Sequence, residues 1–213
     1  MHRLRLKFGR GEQLKFLSHL DLMRLWERSL RRAGIELSYS EGFSPHPRIS
    51  LAAPLAVGMT SVAELMDIFL EGRITASLFV QKVGAQLPGG LDIIEILPVG
   101  IDAPSLQSRL RFAEYAVVVK TTNSARQAET EISALLAKET LPWHHARDTG
   151  ERFYDLRPLI DGLWLEGKRD EGLGIGMRLR CDASGSGRPE QVARALGFSE
   201  MPQSIQRTRL VFA

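Results

Sequence analysis

The feature that most constrains this chain is the order of its strand-like and helix-like segments. Residues 2–9, HRLRLKFG, alternate apolar and basic side chains, which is typical of a strand with one buried face. Helix, strand, strand, helix and strand patterns follow by residue 100, and residues 109–213 repeat the whole order. This is the ferredoxin-like (βαββαβ) order. The sequence therefore predicts an α+β fold with two ferredoxin-like domains in tandem, at 1–100 and 109–213; one larger α+β domain is the alternative.

The limits of the segments are assigned from periodicity and from helix-end signals. Ser18 with Asp21 three residues later forms a variant of the capping box, and Gly34 suits the position after a helix end. Residues 98–108 carry two prolines and no amphipathic period, so we expect a linker or a crossover there. We expect strands at 2–9, 48–55, 62–72, 91–99, 111–120, within 153–165, at 173–181 and at 205–212, and helices at 19–33, 75–87, 124–139 and 188–196.

The composition excludes several kinds of site. The single cysteine, Cys181, can neither form a disulfide within the chain nor build a cysteine-ligated zinc or iron–sulfur site. No segment is apolar over the ~18 residues that suggest a membrane-spanning helix, and the first residues lack a signal-peptide pattern. The adjacent His144 and His145, expected in an exposed loop, lack the spacing of metal ligands. We therefore expect a cytoplasmic protein with no metal site and no membrane partner.

Basic residues are concentrated at the start of the chain. Residues 1–50 contain ten Lys and Arg against five Asp and Glu, whereas residues 51–100 contain two against five. An anionic partner such as RNA or an acidic protein surface suits this asymmetry; the alternatives are solvated surfaces or two sheets packed together. Arg-x-Arg pairs recur at 109–111, 178–180 and 207–209. The candidate nucleic-acid contacts on the first strand and first helix are Arg3, Arg5, Lys7, Arg24, Arg28 and Arg31, with Arg32 beside them.

The segment at 39–50, YSEGFSPHPRIS, is unusual for a connection between a helix and a strand. Gly42 permits a positive φ, and each proline holds the residue before it in an extended form. Such a stiff loop fixes the directions of Tyr39, His46 and Arg48, which are further candidate contacts for an anion or a nucleic acid. The alternative is a purely structural turn in which Phe43 packs into the core.

Two histidines, His19 and His46, are the candidates for catalysis in this chain. His19 occupies the first position of a predicted helix, and helix N-termini attract anions. If the loop that carries His46 folds back over that end of the helix, the two imidazoles and Arg48 can support metal-independent RNA cleavage by general acid–base chemistry.

Residues 16–68 resemble the radical SAM-linked family, also described as a domain of unknown function (DUF2344). The resemblance is strong over residues 1–100 and continues more weakly through DLRP at 155–158 and Arg188-Pro189. Ser44 departs from the family, which often has Asn at that turn position. The matching residues are SHLD at 18–21, Arg24, RRAG at 31–34, Tyr39-Ser40, Gly42-Phe43, PHP at 45–47, Gly58, Glu64 and Asp67.

The resemblance implies a role beside a separate radical SAM protein. Family members occur fused to such a protein or encoded near one, and often near genes for a ribonuclease E/G-type enzyme and ribosomal proteins. The resemblance thus places S-adenosylmethionine and an iron–sulfur cluster in the partner, and we expect no cofactor in this chain.

The leading hypothesis from the sequence is an RNA-binding or substrate-presenting module that is not an enzyme on its own. It would act with the radical SAM protein in the modification of RNA or of a ribosome-related particle. The alternatives are a stand-alone RNA-processing enzyme that uses His19, His46 and Arg48, and a protein-interaction adaptor.

Overall fold

The structure is a computed structural model that describes residues 1–147, 150–169 and 172–213, with the backbone alone described at 145–147. The chain divides into two compact units, Met1–Leu110 and Arg111–Ala213. Each unit combines α-helices with antiparallel strand pairs. The α+β fold class predicted from the sequence is therefore confirmed.

The first unit contains a four-stranded sheet and two longer helices. Its elements are β1 (His2–Arg10), a 3₁₀ turn (Glu12–Leu14), α1 (His19–Arg32), β2 (Ile49–Leu51), β3 (Thr60–Leu70), α2 (Ala76–Gly84), β4 (Leu91–Val99) and the short α3 (Leu106–Arg109). The strands lie in the order β4–β1–β3–β2, and each pairing is antiparallel. Among these strands only β2 is much shorter than predicted. Of the predicted residues 48–55, only the three residues Ile49–Leu51 pair with β3.

Helix α1 begins at the predicted residue, His19, and ends at Arg32, one residue before the predicted end. The Asp21 N–H donates to the Ser18 hydroxyl at 3.2 Å, which satisfies one of the amides left free in the first turn. Gly34 has a φ of +68°, a left-handed conformation that suits glycine after a helix end. The buried residues of the helix include Leu22, Trp26 and Leu30, so its apolar stripe faces the core as its periodicity predicts.

The core of the first unit lies against one face of β1. Leu4, Leu6 and Phe8 are at most 1% exposed, as the alternation of the strand predicts. The Phe8 ring meets Trp26 edge-on, with 5.1 Å between ring centroids. Phe79 from α2 belongs to the same buried cluster. The opposite face of β1 therefore carries its basic residues.

The segment after β4 is folded onto the first unit instead of forming a free linker. The Arg3 guanidinium donates to the carbonyls of Ala103 at 2.5 Å and Pro104 at 3.1 Å. Farther along, the Gln107 side-chain amide donates to the Ser50 hydroxyl at 2.7 Å. Single polar side chains hold this segment in place. Such contacts produce no hydrophobic periodicity, so the sequence did not indicate them. The expectation of a linker at 98–108 is therefore corrected.

The second unit follows the predicted order of elements, apart from a two-residue strand at 185–186 and one larger addition. Its elements are β5 (Leu110–Lys120), α4 (Ala125–Leu136), β6 (Pro142–Arg147), β7 (Gly150–Asp155), a 3₁₀ turn (Arg157–Leu159), β8 (Ile160–Arg169), β9 (Gly172–Asp182), β10 (Gly185–Ser186), α5 (Pro189–Ala195) and β11 (Ser204–Phe212). β5 and β8 both pair with β9 in the antiparallel sense, and β11 is the other neighbour of β5.

The addition is a hairpin formed by β6 and β7, inserted between α4 and β8. The sequence predicts an exposed loop at His144 and His145, whereas both residues lie in β6. The His144 ring stacks on Phe153 across the hairpin, with 4.5 Å between centroids. This cross-strand pair stabilises a strand that has no simple alternation. The side chain of His145 lies outside the described part of the chain.

Candidate nucleic-acid interface

The two arginines on the outer face of β1 are bound to a carboxylate of the neighbouring strand. Asp67 on β3 lies directly across from Arg5. Arg5 binds it through two parallel hydrogen bonds, Nε to Oδ1 at 2.8 Å and Nη2 to Oδ2 at 3.0 Å. Arg3 adds a third bond, from Nη2 to Oδ2 at 2.6 Å. Arg3 and Asp67 are 3% and 1% exposed, so this is a buried ion cluster.

These contacts correct the expectation that β1 offers its charge to phosphates from an open sheet face. Arg3 is buried, and both of its terminal nitrogens donate within the protein. Arg5 is largely covered, with 24% of its side chain exposed. Lys7 is half-buried, opposite Leu65 and Glu95 on the neighbouring strands. We therefore assign Arg3 and Arg5 to stability rather than to binding.

The arginines of helix α1 form an exposed surface, here called the arginine face. Their spacing places them on the side of the helix opposite Trp26 and Leu30. Arg24 has a carboxylate partner, Asp21 at 3.5 Å, and both side chains are more than half exposed. The other three have no salt bridge within the described residues, so most of their charge is available to a partner. The arginine face consists of Arg24, Arg28, Arg31 and Arg32, all exposed.

The segment at 39–48, here called the proline loop, is closed at its base by backbone pairing. Ser40 and His46 are joined by two bonds: the Ser40 N–H donates to the His46 carbonyl at 2.9 Å, and the His46 N–H donates to the Ser40 hydroxyl at 3.0 Å. Tyr39 forms a β-bridge with Pro47, and the Arg48 N–H donates to the Ser38 carbonyl at 2.8 Å. These bonds leave the residues between Ser40 and His46 as a short projecting tip.

The proline loop exposes aromatic and basic side chains. Gly42 adopts a φ of +116°, as expected from the sequence. Phe43 is fully exposed and Tyr39 is 47% exposed, so the alternative in which Phe43 packs into the core is wrong. His46 and Arg48 are exposed too, and the Arg48 guanidinium lies 4.3 Å from the centroid of the Phe69 ring.

The candidate catalytic histidines lie at opposite ends of the first unit. The chain before α1 contacts the end of β1, because Arg10 donates to the Leu17 carbonyl at 3.4 Å. The proline loop lies where β1 begins, because Arg48 contacts the Met1 sulfur at 3.1 Å. A strand of nine residues, such as β1, spans on the order of 30 Å. His19 and His46, both exposed, are therefore not brought together into one site.

Two arginines of β9 in the second unit, Arg178 and Arg180, are also held by carboxylates. Arg178 binds Glu114 at 2.7 Å and Asp161 at 3.6 Å, and the hydrogen bond to Glu114 raises the pKa of Arg178. Arg180 donates to the Ser184 hydroxyl at 2.9 Å, next to Asp182. The hydrogen bond from that hydroxyl lowers the pKa of Asp182, so the carboxylate stays charged. The basic charge predicted for β9 is thus partly neutralised.

The described residues form neither a metal-ligand cluster nor a membrane-spanning helix. Within the described ranges, no group of three or more His, Cys, Asp or Glu side chains is placed to hold a metal ion. No helix in those ranges combines the length and the apolar composition needed to cross a membrane. Cys181, the single cysteine of the chain, is buried.

Sequence reasoning missed two features of this interface. Asp67 is the residue that withdraws Arg3 and Arg5 from any partner, and only the register of β1 against β3 reveals it. Phe43 is the most exposed aromatic ring among the described residues. The signal for Phe43 was its place between Gly42 and two prolines, a context that favours a projecting tip.

Two solved structures of similar fold are chains of about twice this length. A chain of a Cbf5–Nop10–Gar1 complex aligns with a TM-score of 0.51 and 8% identity, covering 97% of this chain and 48% of that one. A chain of the archaeal box H/ACA sRNP Nop10–Cbf5 complex gives 0.49 and 8%, covering 97% and 47%. At such identities the likeness concerns the fold alone. The chain thus spans about half the length of these structural relatives.

Comparison by sequence points to one family. No protein with a curated description matches the chain. The model of the family described as "Uncharacterized protein conserved in bacteria (DUF2344)" matches residues 3–189, which is most of the chain. The chain therefore belongs to the DUF2344 family.

Proposed function

We propose that this chain is a non-catalytic RNA-binding module, and that its RNA contacts lie on the first unit. The observation that carries the proposal is the arginine face: four exposed guanidinium groups along α1, of which Arg24 alone has a salt bridge within the described residues. Guanidinium groups bind phosphate oxygens in a planar, two-bond geometry. Arg24 and Arg31 are two helical turns apart, about 10 Å at 1.5 Å per residue, which suits contacts to more than one phosphate.

The exposed rings of the proline loop favour single-stranded RNA as the ligand. Unpaired bases stack on exposed aromatic rings, and such stacking is insensitive to sequence because every base has a flat face. The Phe43 ring is fully exposed, and Tyr39 and His46 lie on the same short loop. Arg48 stands at the base of this loop as a further cation. Aromatic and basic groups thus occur together on one preorganised loop.

The first test measures binding of the intact protein to single-stranded RNA as salt is raised. We expect the affinity to fall steeply, because each phosphate contact adds roughly 0.7 to the slope of log K against log salt. Duplex DNA is the comparison ligand and should bind more weakly, since its bases are not free to stack. Salt-independent binding, or no binding to RNA at low salt, would contradict the proposal. Retention of an acidic protein instead of RNA would favour the adaptor.

The proline loop gives a prediction of its own. We expect Phe43→Ser combined with His46→Ala to weaken single-stranded RNA binding by about tenfold to a hundredfold, since stacking contributes roughly 1–3 kcal/mol per base. The melting temperature should not change, because both side chains are exposed. Phe16→Ser is the matched control: Phe16 is 72% exposed but precedes α1. An equal loss of affinity in the control would exclude a specific role for the loop.

A separate radical SAM protein is the proposed partner. The support is the sequence resemblance, together with a single buried cysteine that cannot hold an iron–sulfur cluster. Co-expression with a candidate radical SAM protein should give a complex that survives gel filtration, with S-adenosylmethionine and the cluster bound by the partner. If the two proteins elute separately both with and without RNA, this part of the proposal is wrong.

Both units are proposed to be ferredoxin-like domains. In the first unit the support is the strand order β4–β1–β3–β2 with antiparallel pairs and a helix after β1 and after β3. In the second unit β11, β5, β9 and β8 are neighbours in the corresponding order, with α4 after β5 and α5 after β9. The β6–β7 hairpin is then an insertion in the second domain.

A further inference from the structure

Strand β4 lies at the edge of the sheet in the first unit, whose strand order is β4–β1–β3–β2. Among the described residues, β1 is the one strand that pairs with it, and residues 92–99 make no further backbone hydrogen bond there. About half of the backbone N–H and C=O groups of such a strand point away from its neighbour. The outer side of the nine residues Leu91–Val99, here called the β4 edge, therefore has the backbone groups needed to pair with a further strand.

Two aliphatic side chains of β4 lie on the face of the sheet opposite the core. Leu97 is across from Arg5, whose side chain is on that face. Ile94 is the extra residue where the register against β1 shifts, and its Cδ1 lies 3.9 Å from the point where a Cβ on Gly9 would be. That point is on the same face, because Gly9 follows Arg5 by an even number of positions. Each of the two aliphatic side chains is 50% exposed, so the β4 edge has an apolar component.

Two carboxylates of β4 lie on this same face. Glu95 is across from Lys7, and Asp92 is across from Gly9. Both carboxylates are exposed, and neither forms a salt bridge within the part of the chain that the structure describes. Residues 83–108 contain three carboxylates and neither Lys nor Arg, although the whole chain has a net charge of +3. The β4 edge is therefore acidic as well as apolar.

We propose that the β4 edge binds an extended segment of another protein in which basic and apolar residues alternate. The segment adds a strand to the sheet, and its backbone groups pair with the outward groups of β4. Its cations occupy alternate positions across from Asp92 and Glu95, because the register shift brings these two carboxylates opposite alternate residues of β1. Opposite charges directly across a strand pair stabilise it. The apolar residues of the segment then lie beside Ile93 and Ile96, which pack partly exposed against the core.

The charge of the β4 edge disfavours two other occupants. A second copy of this chain paired through β4 would bring its own Asp92 and Glu95 to the shared edge, and like charges across a strand pair are destabilising. The phosphates of RNA would be repelled by the same carboxylates. The β4 edge thus differs in charge from the arginine face, and the proposal does not depend on RNA binding by the first unit.

The test is a fluorescence titration of the full chain with a labelled nine-residue peptide in which lysine and valine alternate. We expect weak, reversible binding at low salt, because one added strand buries less surface than a standard interface. A peptide with glutamate in place of lysine should bind at least about tenfold more weakly. A peptide of the same composition with all lysines before all valines should lose about as much, because its cations and apolar residues no longer alternate between faces. Equal binding of the alternating and block peptides, or no binding of the alternating one, would overturn the proposal.

Charge reversal on the chain locates the binding site. Asp92→Lys with Glu95→Lys changes two exposed side chains, so the fold is retained, and the alternating lysine peptide should bind at least about tenfold more weakly. Glu129→Lys with Glu131→Lys is the matched control, because it makes the same change at exposed residues of α4 in the second unit. It should leave peptide binding within about twofold. An equal loss in the two double variants would show that net charge alone drives binding, and would overturn the proposal.

Hydrogen exchange reports on the backbone pairing, which net charge does not change. The amides of residues 92–97 should exchange at least about tenfold more slowly when the alternating peptide is bound, because an added strand covers the outward groups of β4. Unchanged exchange in a saturated complex would overturn the proposal. Sedimentation of the chain alone distinguishes the remaining occupant: we expect a monomer at the β4 edge, and a dimer that Asp92→Lys with Glu95→Lys dissociates would assign the edge to a second copy instead.

Discussion

Asp67→Asn is expected to destabilise the protein by about 3 kcal/mol, the range found when a buried ion pair loses one partner. The variant keeps the shape of the side chain but removes the charge that Arg3 and Arg5 share. Arg3, at 3% exposed, is then a buried cation without a counter-charge. For a chain of this length the midpoint of thermal unfolding should fall by about 6–12 °C. Calorimetry or circular dichroism during heating measures the change.

The matched control is Asp92→Asn on β4, because it makes the same chemical change at an exposed carboxylate. Its effect should stay within about 0.5 kcal/mol. A further variant, Arg3→Met added to Asp67→Asn, should recover part of the lost stability, since it removes the unpaired buried charge. If Asp67→Asn and Asp92→Asn unfold at the same temperature, the cluster does not stabilise the protein. RNA affinity below the unfolding transition should be unchanged in all three variants.

Replacement of Arg24, Arg28 and Arg31 by Gln is expected to weaken RNA binding by roughly a hundredfold at low salt, and to lower the salt slope by about 2. Each arginine on this face is taken to neutralise one phosphate. Stability should change little, because the three residues are exposed and Gln forms helices nearly as well as Arg. Filter binding or fluorescence anisotropy over a range of salt concentrations measures both quantities.

The control variant removes the same charge elsewhere. Lys120→Gln, Arg126→Gln and Lys138→Gln change three exposed residues of the second unit. If net charge alone drives binding, the two triple variants lose affinity equally, and the arginine face has no special role. If the face is the contact surface, only the variant in α1 loses affinity. Unchanged binding in both variants would exclude the proposed surface.

Local signals in the sequence determined much of the first unit. Ser18 and Gly34 mark the ends of α1 because helix ends need a side-chain acceptor at one end and a residue that tolerates positive φ at the other. The alternation of Leu4, Leu6 and Phe8 with basic residues sets the buried face of β1 because side chains of a strand alternate between faces. The positive φ of Gly42 was likewise a local property. Each depends on residues a few positions apart.

The tertiary structure alone decided what the charged residues do. Arg3, Arg5 and Arg28 are alike in sequence, but the register of β1 against β3 places Asp67 beside the first two. Asp67 lies more than sixty positions after these arginines, so no local sequence pattern indicates the contact. From the sequence alone, the outward side of β1 therefore resembled a binding face. Local propensity therefore determined most helices and strands, whereas long-range contacts decided which cations are free for a partner.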